Sequence, residues 1–269
     1  MNKKTAALTL EDIVCLSGKR RAILLLLGKK GYGIEELTEV MNMTSHSLAP
    51  QLKTLKDERI VSIKNGIYEL TEVGHILVKN MYPLFETMDV LEKNQRYWFD
   101  RNMAVIPSKL AEQIREIGNY QLLEYDISEY MFDVPAEFSE NLKKSNFAFC
   151  LLSFYHPIYS RMQFEMAETG KKMVIIVTRK VHERLIEEEK DRLGKLIKQE
   201  NVKYMIYNGD CTLICPTMTL TDVFSYIYFF NNDGVYDNKI ILSTDDRTLA
   251  WSKELYEHYK KQSVYVKAI

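Results

Sequence analysis

The tightest constraint in this chain is the run Ile60-Val61-Ser62-Ile63-Lys64-Asn65-Gly66-Ile67-Tyr68-Glu69-Leu70. Two short segments rich in β-branched and aromatic residues flank an Asn-Gly pair. A two-residue hairpin loop needs positive φ at both central positions, which Asn-Gly accepts at least cost, so the run predicts a β-hairpin. What precedes it reads as helix. Lys19–Gly28 is apolar, and its Ile23, Leu24, Leu26 and Leu27 can cover two sides of a small core before Gly28 and the Lys-Lys-Gly that follows end it. Ile34–Met41 spaces Ile34, Leu37 and Met41 by three and four residues. After a break at Asn42-Met43, Thr44 can cap a third helix by accepting from an orphan backbone N–H. That helix carries Leu48, Leu52 and Leu55 on one face. Thr71 then caps a long fourth helix over Glu72–Phe99, with an interruption expected at Pro83.

The order helix, helix, break, helix, hairpin, helix predicts a winged helix-turn-helix over residues 1–80. In that arrangement the second helix of the pair lies in the major groove of double-stranded DNA, with residues near its N-terminus reaching base edges. The candidate DNA contacts are Ser45, His46, Ser47, Gln51 and Lys53 on the faces left open by the three leucines, with Lys64 and Asn65 at the hairpin turn. Gln pairs bidentately with adenine, Ser serves several bases, and His and Lys meet bases or phosphates. Lys19, Arg20 and Arg21 are further phosphate candidates. Pro50 lies beyond the orphan N–H groups of the helix, so it removes one hydrogen bond and is expected to bend it. Charge fits the same division. Residues 1–80 hold 12 Lys and Arg against 9 Asp and Glu, whereas residues 81–269 hold 24 against 28. A mildly basic head on an acidic body suits a head that meets a polyanion.

At 269 residues the chain exceeds a typical single domain. The fold class expected is α/β and multi-domain: the head at 1–80, a connecting and dimerising helix at 81–101, and an α/β sandwich with a mixed sheet at 102–269. Strands are expected at Gln121–Tyr125, Phe147–Phe154, Met173–Thr178, Val202–Tyr207, Leu213–Met218, Phe224–Phe230 and Lys239–Leu242. Helices are expected at Ser108–Ile117, Ala136–Lys144, Pro157–Glu168, Val181–Gln199 and Asp245–Lys261. Met173–Val177 is apolar enough to be buried on both faces, as in a parallel strand. The later strands, joined by Asn-Asn-Asp-Gly, read as antiparallel. The Glu72–Phe99 helix bears Ile76, Leu77, Met81, Leu84, Phe85, Met88 and Leu91, more apolar surface than one small domain covers, which predicts a homodimer.

In open α/β sheets ligands bind beyond the carboxyl ends of strands. That rule selects Tyr155, His156, Arg179, Ser243 and Asp245 as candidate contacts for a small-molecule effector. Arg179 suits an anion. His156 before Pro157, and Asp245, equally suit helix N-caps. Cys211 and Cys215 offer an alternative, a metal- or redox-responsive pair, against which stand the four ligands of a structural zinc site and the absence of a nearby His. Buried thiols are the expectation, with no metal and no cofactor. The longest apolar run near the N-terminus, Ala22–Leu27, is far too short to span a bilayer, and no signal peptide is read, so a cytoplasmic protein is expected.

Two stretches of the head, Thr-Ser-His-Ser-Leu-Ala-Pro-Gln-Leu-Lys-Thr-Leu-Lys (44–56) and Ile-Tyr-Glu-Leu-Thr-Glu-Val-Gly (67–74), resemble archaeal winged-helix regulators related to arsenical-repressor-type proteins. In the body, Phe-Tyr-His-Pro-Ile-Tyr (154–159), Asn-Asn-Asp-Gly-Val-Tyr-Asp (231–237) and Leu-Ala-Trp-Ser-Lys-Glu-Leu-Tyr-Glu-His-Tyr (249–259) resemble the C-terminal domain of methanogen and halophile regulators named after a methanogenesis regulatory protein. The resemblance implies a transcription factor with a sensing domain and leaves its signal open. Against a catalytic role, regulators of this kind resemble phospholipase-D-like folds, yet the sole His-x-Lys here is His258-Tyr259-Lys260, with Tyr265 rather than Asp five beyond the lysine. There is no Gly-rich phosphate loop, no Gly-x-Ser-x-Gly and no His-Glu-x-x-His. The expectation is a regulator and not an enzyme; the competing readings are a scaffold that binds no DNA, or an enzyme whose groups converge only in three dimensions.

Overall fold

The computed structural model describes residues 9–125, 135–210 and 214–269. The chain divides into two compact units, Met1–Glu86 and Thr87–Ile269.

The first unit runs α1 (Leu10–Val14), α2 (Gly18–Leu27), β1 (Tyr32–Gly33), α3 (Ile34–Val40), α4 (Ser45–Asp57), β2 (Val61–Lys64), β3 (Ile67–Leu70) and the start of α5 (Glu72–Lys93). The hairpin forms as expected: Asn65 and Gly66 take φ of 51° and 81°, and Lys64 pairs with Ile67 across the turn. β1 adds a third antiparallel strand through Tyr32 opposite Tyr68, a two-residue pairing too short to read from periodicity. Leu48, Leu52 and Leu55 are at most 2% exposed and pack with Ile23, Leu24, Leu27 and Leu37. Both turns that deliver α4 to and from its neighbours close in the same way. Asn42 donates to Glu39 O (3.1 Å) and Met43 to Thr38 O (3.0 Å); Arg59 donates to Lys56 O (2.9 Å) and Ile60 to Leu55 O (2.9 Å). These are paired carbonyl caps with the residue after the helix in the left-handed region, φ 49° at Asn42 and 57° at Arg59. α4 continues unbroken through Pro50.

α5 also runs through Pro83, and the interruption falls later, at Asn94 (φ −141°, ψ 58°), before α6 (Gln95–Phe99). A helical proline removes one hydrogen bond, and the burial of Met81 and Phe85 on either side of Pro83 holds the helix together there. 

The second unit then places α7 (Ser108–Ala111), β4 (Gln121–Glu124), α8 (Ala136–Lys144), β5 (Phe147–Leu152), α9 (Pro157–Glu168), β6 (Lys172–Val177), α10 (Arg179–Ile197), β7 (Val202–Tyr207), β8 (Thr217–Leu220), β9 (Ser225–Tyr228), β10 (Lys239–Ser243), α11 (Asp246–Lys261) and β11 (Ser263–Tyr265). The single helix expected over Ser108–Ile117 is instead α7 followed by a separate 3-10 turn at Ile114–Ile117.

The fold class is mixed α/β, with one eight-stranded sheet in the order β11-β7-β6-β5-β8-β9-β10-β4. β5, β6 and β7 are parallel, and every other pairing is antiparallel. The alternation in β5 and β6 separates two cores. Cys150, Leu152, Ile175 and Val177 face α9 and α10; Leu151, Val174 and Ile176 face α11 through Trp251, Leu255 and Tyr256.

Candidate functional site

In the head the polar side of α4 is the feature to examine. Ser45, His46 and Lys53 are exposed, as are Lys64 and Asn65 at the hairpin turn. Thr44 caps α4 by accepting from the Ser47 N–H (3.3 Å), and no acidic side chain lies in the first helical turn, so the partial positive charge of this N-terminus is left uncompensated. α2 begins beside it. Its cap is Ser17, its first turn likewise lacks acid, and Lys19 donates from Nζ to Ser47 Oγ (2.9 Å). The Lys19 ammonium is thereby held at the N-terminus of α4, an arrangement that favours an anion such as a phosphate oxygen.

Two of the candidate contacts are not simple open groups. Ser47 accepts from Lys19, as above. Gln51 is half-buried, and its Oε1 accepts from Arg20 Nη1 (3.2 Å) and Ser17 Oγ (3.4 Å). Bidentate pairing with adenine would require Oε1 to leave those donors, so Gln51 ties α4 to α2 in this structure. Arg20 is correspondingly drawn inward. Besides Gln51 it holds Ile13 O through Nε (2.5 Å) and Asp12 O through Nη2 (3.0 Å), which fixes the end of α1. Arg21 lies over the Phe85 ring at 4.9 Å. Of the three basic residues opening α2, Lys19 alone is exposed.

In the second unit the five candidate effector contacts separate into two groups. Tyr155 and His156 follow β5 and Arg179 follows β6; the strands are parallel neighbours, so these three share one sheet edge. β10 runs antiparallel to β5, because each of the steps β5–β8, β8–β9 and β9–β10 reverses direction. Ser243 and Asp245, at the carboxyl end of β10, therefore lie at the opposite edge. Both side chains also hold the fold, beside the effector contact expected of them. Ser243 Oγ donates to Asn119 O (2.5 Å) and pairs with Thr248 Oγ1 (3.0 Å), while Asp245 caps α11 by accepting from Arg247 and Thr248 N–H. His156 is likewise the N-cap of α9, its Nδ1 accepting from Ile158 N (3.3 Å). Burial lowers its pKa, consistent with a neutral ring that can accept. Tyr155 donates to Glu189 Oε1 (2.9 Å), and burial with the adjoining carboxylate pushes its phenol up to about 12. Arg179 reaches Asn208 Oδ1 at 3.4 Å.

None of these five residues lines a partly open cavity that the described residues form on the opposite side of the β5 to β10 region from α11. Its floor follows from strand register. Cys150, Thr219 and Tyr226 are successive partners across β5, β8 and β9, and Thr217, Tyr228 and Ile240 form the next row across β8, β9 and β10. β8 thus sets two threonines among large side chains, and space remains above them. Phe138 and Leu142 of α8 with Tyr159, Met162 and Met166 of α9 close it from above. The signal for this site was the alternation Tyr226-Ile227-Tyr228, which places two phenols on one face. Cys150 is fully enclosed, and burial pushes its thiol up to about 12. Of the cysteine pair, Cys211 lies outside the described residues, and Cys215 is buried with Tyr207, Trp251 and Tyr259. Among the described residues no group of three or more His, Cys, Asp or Glu is placed to hold a metal ion, and no helix is long and apolar enough to cross a membrane.

Comparison with known proteins bears on the body of the chain. Residues 131–262 match the model of the middle domain of methanogenesis regulatory protein FilR1. The FilR1 of Methanothrix harundinacea (strain 6Ac) is 22% identical over 252 residues, which is 90% of this chain and 54% of that protein. The chain thus spans about half the length of the curated relative it matches. Among solved structures, the archaeal chromatin protein TrmBL2 aligns over 96% of this chain and 100% of its own, with 13% identity and a TM-score of 0.42. The phospholipase D family member Nuc from Salmonella typhimurium aligns over 56% and 99%, with 9% identity and a TM-score of 0.39. Neither likeness reaches the level at which a shared fold follows. In sequence, this chain is similar over most of its length to a methanogenesis regulatory protein.

Proposed function

We propose that this chain is a sequence-specific DNA-binding transcriptional regulator that acts as a homodimer and is controlled by a small effector bound in its second unit. The observation that carries the reading is α4. Its three leucines are buried, its Ser45, His46 and Lys53 are exposed beside an uncompensated helix N-terminus, and Lys64 and Asn65 stand at the tip of the hairpin that follows. That is the layout of a recognition helix with its wing. The similarity to a protein named as a regulator supports the same class. The reading assigns the chain no reaction: His258 and Lys260 belong to α11, where His258 Nε2 meets Gln262 Nε2 (2.9 Å) and Lys260 pairs with Glu257 (2.6 Å).

Support for dimerisation comes from α5. Of its apolar residues, Met81 and Phe85 are buried, but Val73, Ile76, Leu84 and Met88 are exposed, Ile76 to 63%. Such a stripe suits a second copy of the helix, and two copies would present two α4 helices to a pseudo-palindromic site. The test is binding of genomic fragments by the full chain as salt rises. A DNA reader loses affinity steeply through counterion release. Lys64→Ala should weaken binding to all sequences alike, and His46→Ala should alter sequence preference. Retention that ignores salt and both substitutions refutes the reading, and a monomer by light scattering, with DNA binding intact, removes the dimer.

A further inference from the structure

We propose that the cavity beneath α8 and α9 is the effector site, and that it takes a small uncharged molecule, ring-shaped or aliphatic, bearing one hydrogen-bond acceptor. The proposal rests on the regulator reading for the word effector, but the binding it requires does not.

The chemistry of the walls sets the class. No Lys, Arg, Asp, Glu or His lines this cavity. An ion would leave water and find no countercharge, so charged molecules are excluded. The walls are mostly aromatic and thioether, with Gln163, Thr217 and Thr219 as uncharged polar members: Phe138 stands edge-on to Tyr226 with ring centroids 4.7 Å apart, and Tyr228 stacks on Tyr236 at 4.2 Å. Flat or apolar surface fits such walls. The polar requirement comes from Tyr226. Its hydroxyl is cut off from solvent and makes no hydrogen bond of normal geometry, although the Tyr159 hydroxyl is close enough to influence it. With only the poorly aligned Tyr159 hydroxyl to receive it, the Tyr226 O–H can turn to an acceptor on a ligand. Tyr228, by contrast, is occupied, accepting from Asp237 N–H (2.6 Å). The cavity is small, about 40 Å³, so a ring enters only as Met162 and Met166, which line it, move aside. Methionine side chains re-pack at little cost, so the walls can widen around a ring.

The test uses three compounds of one size with the purified full chain: cyclohexanone, which is neutral with an acceptor; methylcyclohexane, which has none; and cyclohexanecarboxylate, which is charged. Saturation transfer from protein to ligand reports binding. Saturable cyclohexanone binding is expected, with the carboxylate at least tenfold weaker. Tyr226→Phe should weaken cyclohexanone about five- to tenfold, the value of one neutral hydrogen bond, and leave methylcyclohexane unchanged. Thr219→Leu, which fills the floor, should weaken both neutral rings, with circular dichroism confirming that the variant is folded. Equal binding of the carboxylate, indifference to both substitutions, or no saturable binding of either neutral ring overturns the proposal. DNA retention by the same protein is measured separately. Ring binding lost with DNA binding intact sinks the cavity alone; the reverse sinks the regulator reading alone.

Discussion

Arg20 separates two roles that a basic residue at the start of a helix can play, and replacing it by Met distinguishes them. The guanidinium makes three hydrogen bonds, to Ile13 O (2.5 Å), Asp12 O (3.0 Å) and Gln51 Oε1 (3.2 Å). The two carbonyls lie near the C-terminal end of α1, where no further helical turn supplies N–H groups. Hydrogen bonds from a charged donor contribute about 1.5–3 kcal/mol each when lost. Arg20 is half-buried, water can reach part of the vacated site, and the three bonds are not additive, so Arg20→Met should destabilise the head by about 2–3 kcal/mol. Met keeps much of the aliphatic stem, which confines the change to the polar bracket. Urea denaturation followed by circular dichroism measures the loss. The same variant is then titrated with DNA at several salt concentrations, under conditions where it remains folded. A phosphate contact contributes about 0.9 to the slope of log affinity against log salt. Lys64→Met should lower the slope by that amount and Arg20→Met should leave it unchanged. If Arg20→Met costs no stability and flattens the salt dependence, the guanidinium faces phosphate in the working protein and the bracket argued here is wrong.

Three further outcomes follow from the packing. A Cβ on Gly74 would fall 2.2 Å from the backbone oxygen of Ile60, so Gly74→Ala forces α5 away from the base of the hairpin. Overpacking of about 1–3 kcal/mol outweighs the roughly 1 kcal/mol gained in helix propensity, and a lowered melting temperature checks it. Arg101 is buried, donating to Phe229 O (2.9 Å) and to both carboxylate oxygens of Asp237. Asp237→Asn leaves that charge only the more exposed Asp100 carboxylate (3.1 Å), and a loss of about 2 kcal/mol in urea denaturation of the second unit is expected, whereas a neutral result would mean that Asp100 and water already serve the guanidinium. His156 holds its pKa below 6.5 through burial, so the unfolded chain protonates first as pH falls. Its contribution to stability is complete above about pH 6.5 and is lost progressively down through the lowered folded pKa. His156→Asn, which can still cap α9, should flatten that part of the slope below about pH 6.5 while leaving the share due to His182 and His258, whose pKa values burial also lowers.

What could be read from sequence was what neighbouring residues decide among themselves. The Asn65-Gly66 turn, the Thr44 cap and the Leu48-Leu52-Leu55 face each depend on a span of a few residues, and all three stand in the structure. Gln51 shows where such reading stops. Its spacing from Leu48 and Leu52 puts it off the buried face, but the donors that claim its oxygen lie 31 and 34 residues earlier in the chain. Ser243 shows the second limit, because the carboxyl end of a strand marks a shared binding edge only among parallel strands, and the direction of β10 is settled by three reversals through β8 and β9 that no local pattern encodes. The cavity combines both limits. The alternation of Tyr226 and Tyr228 told which face they take, yet the space beneath them exists because register sets Thr217 and Thr219 beside them in place of larger side chains. A one-residue slip of β8 would turn Met218 toward the same face and fill it. The emptiness of that site is therefore a property of strand pairing rather than of any residue lining it.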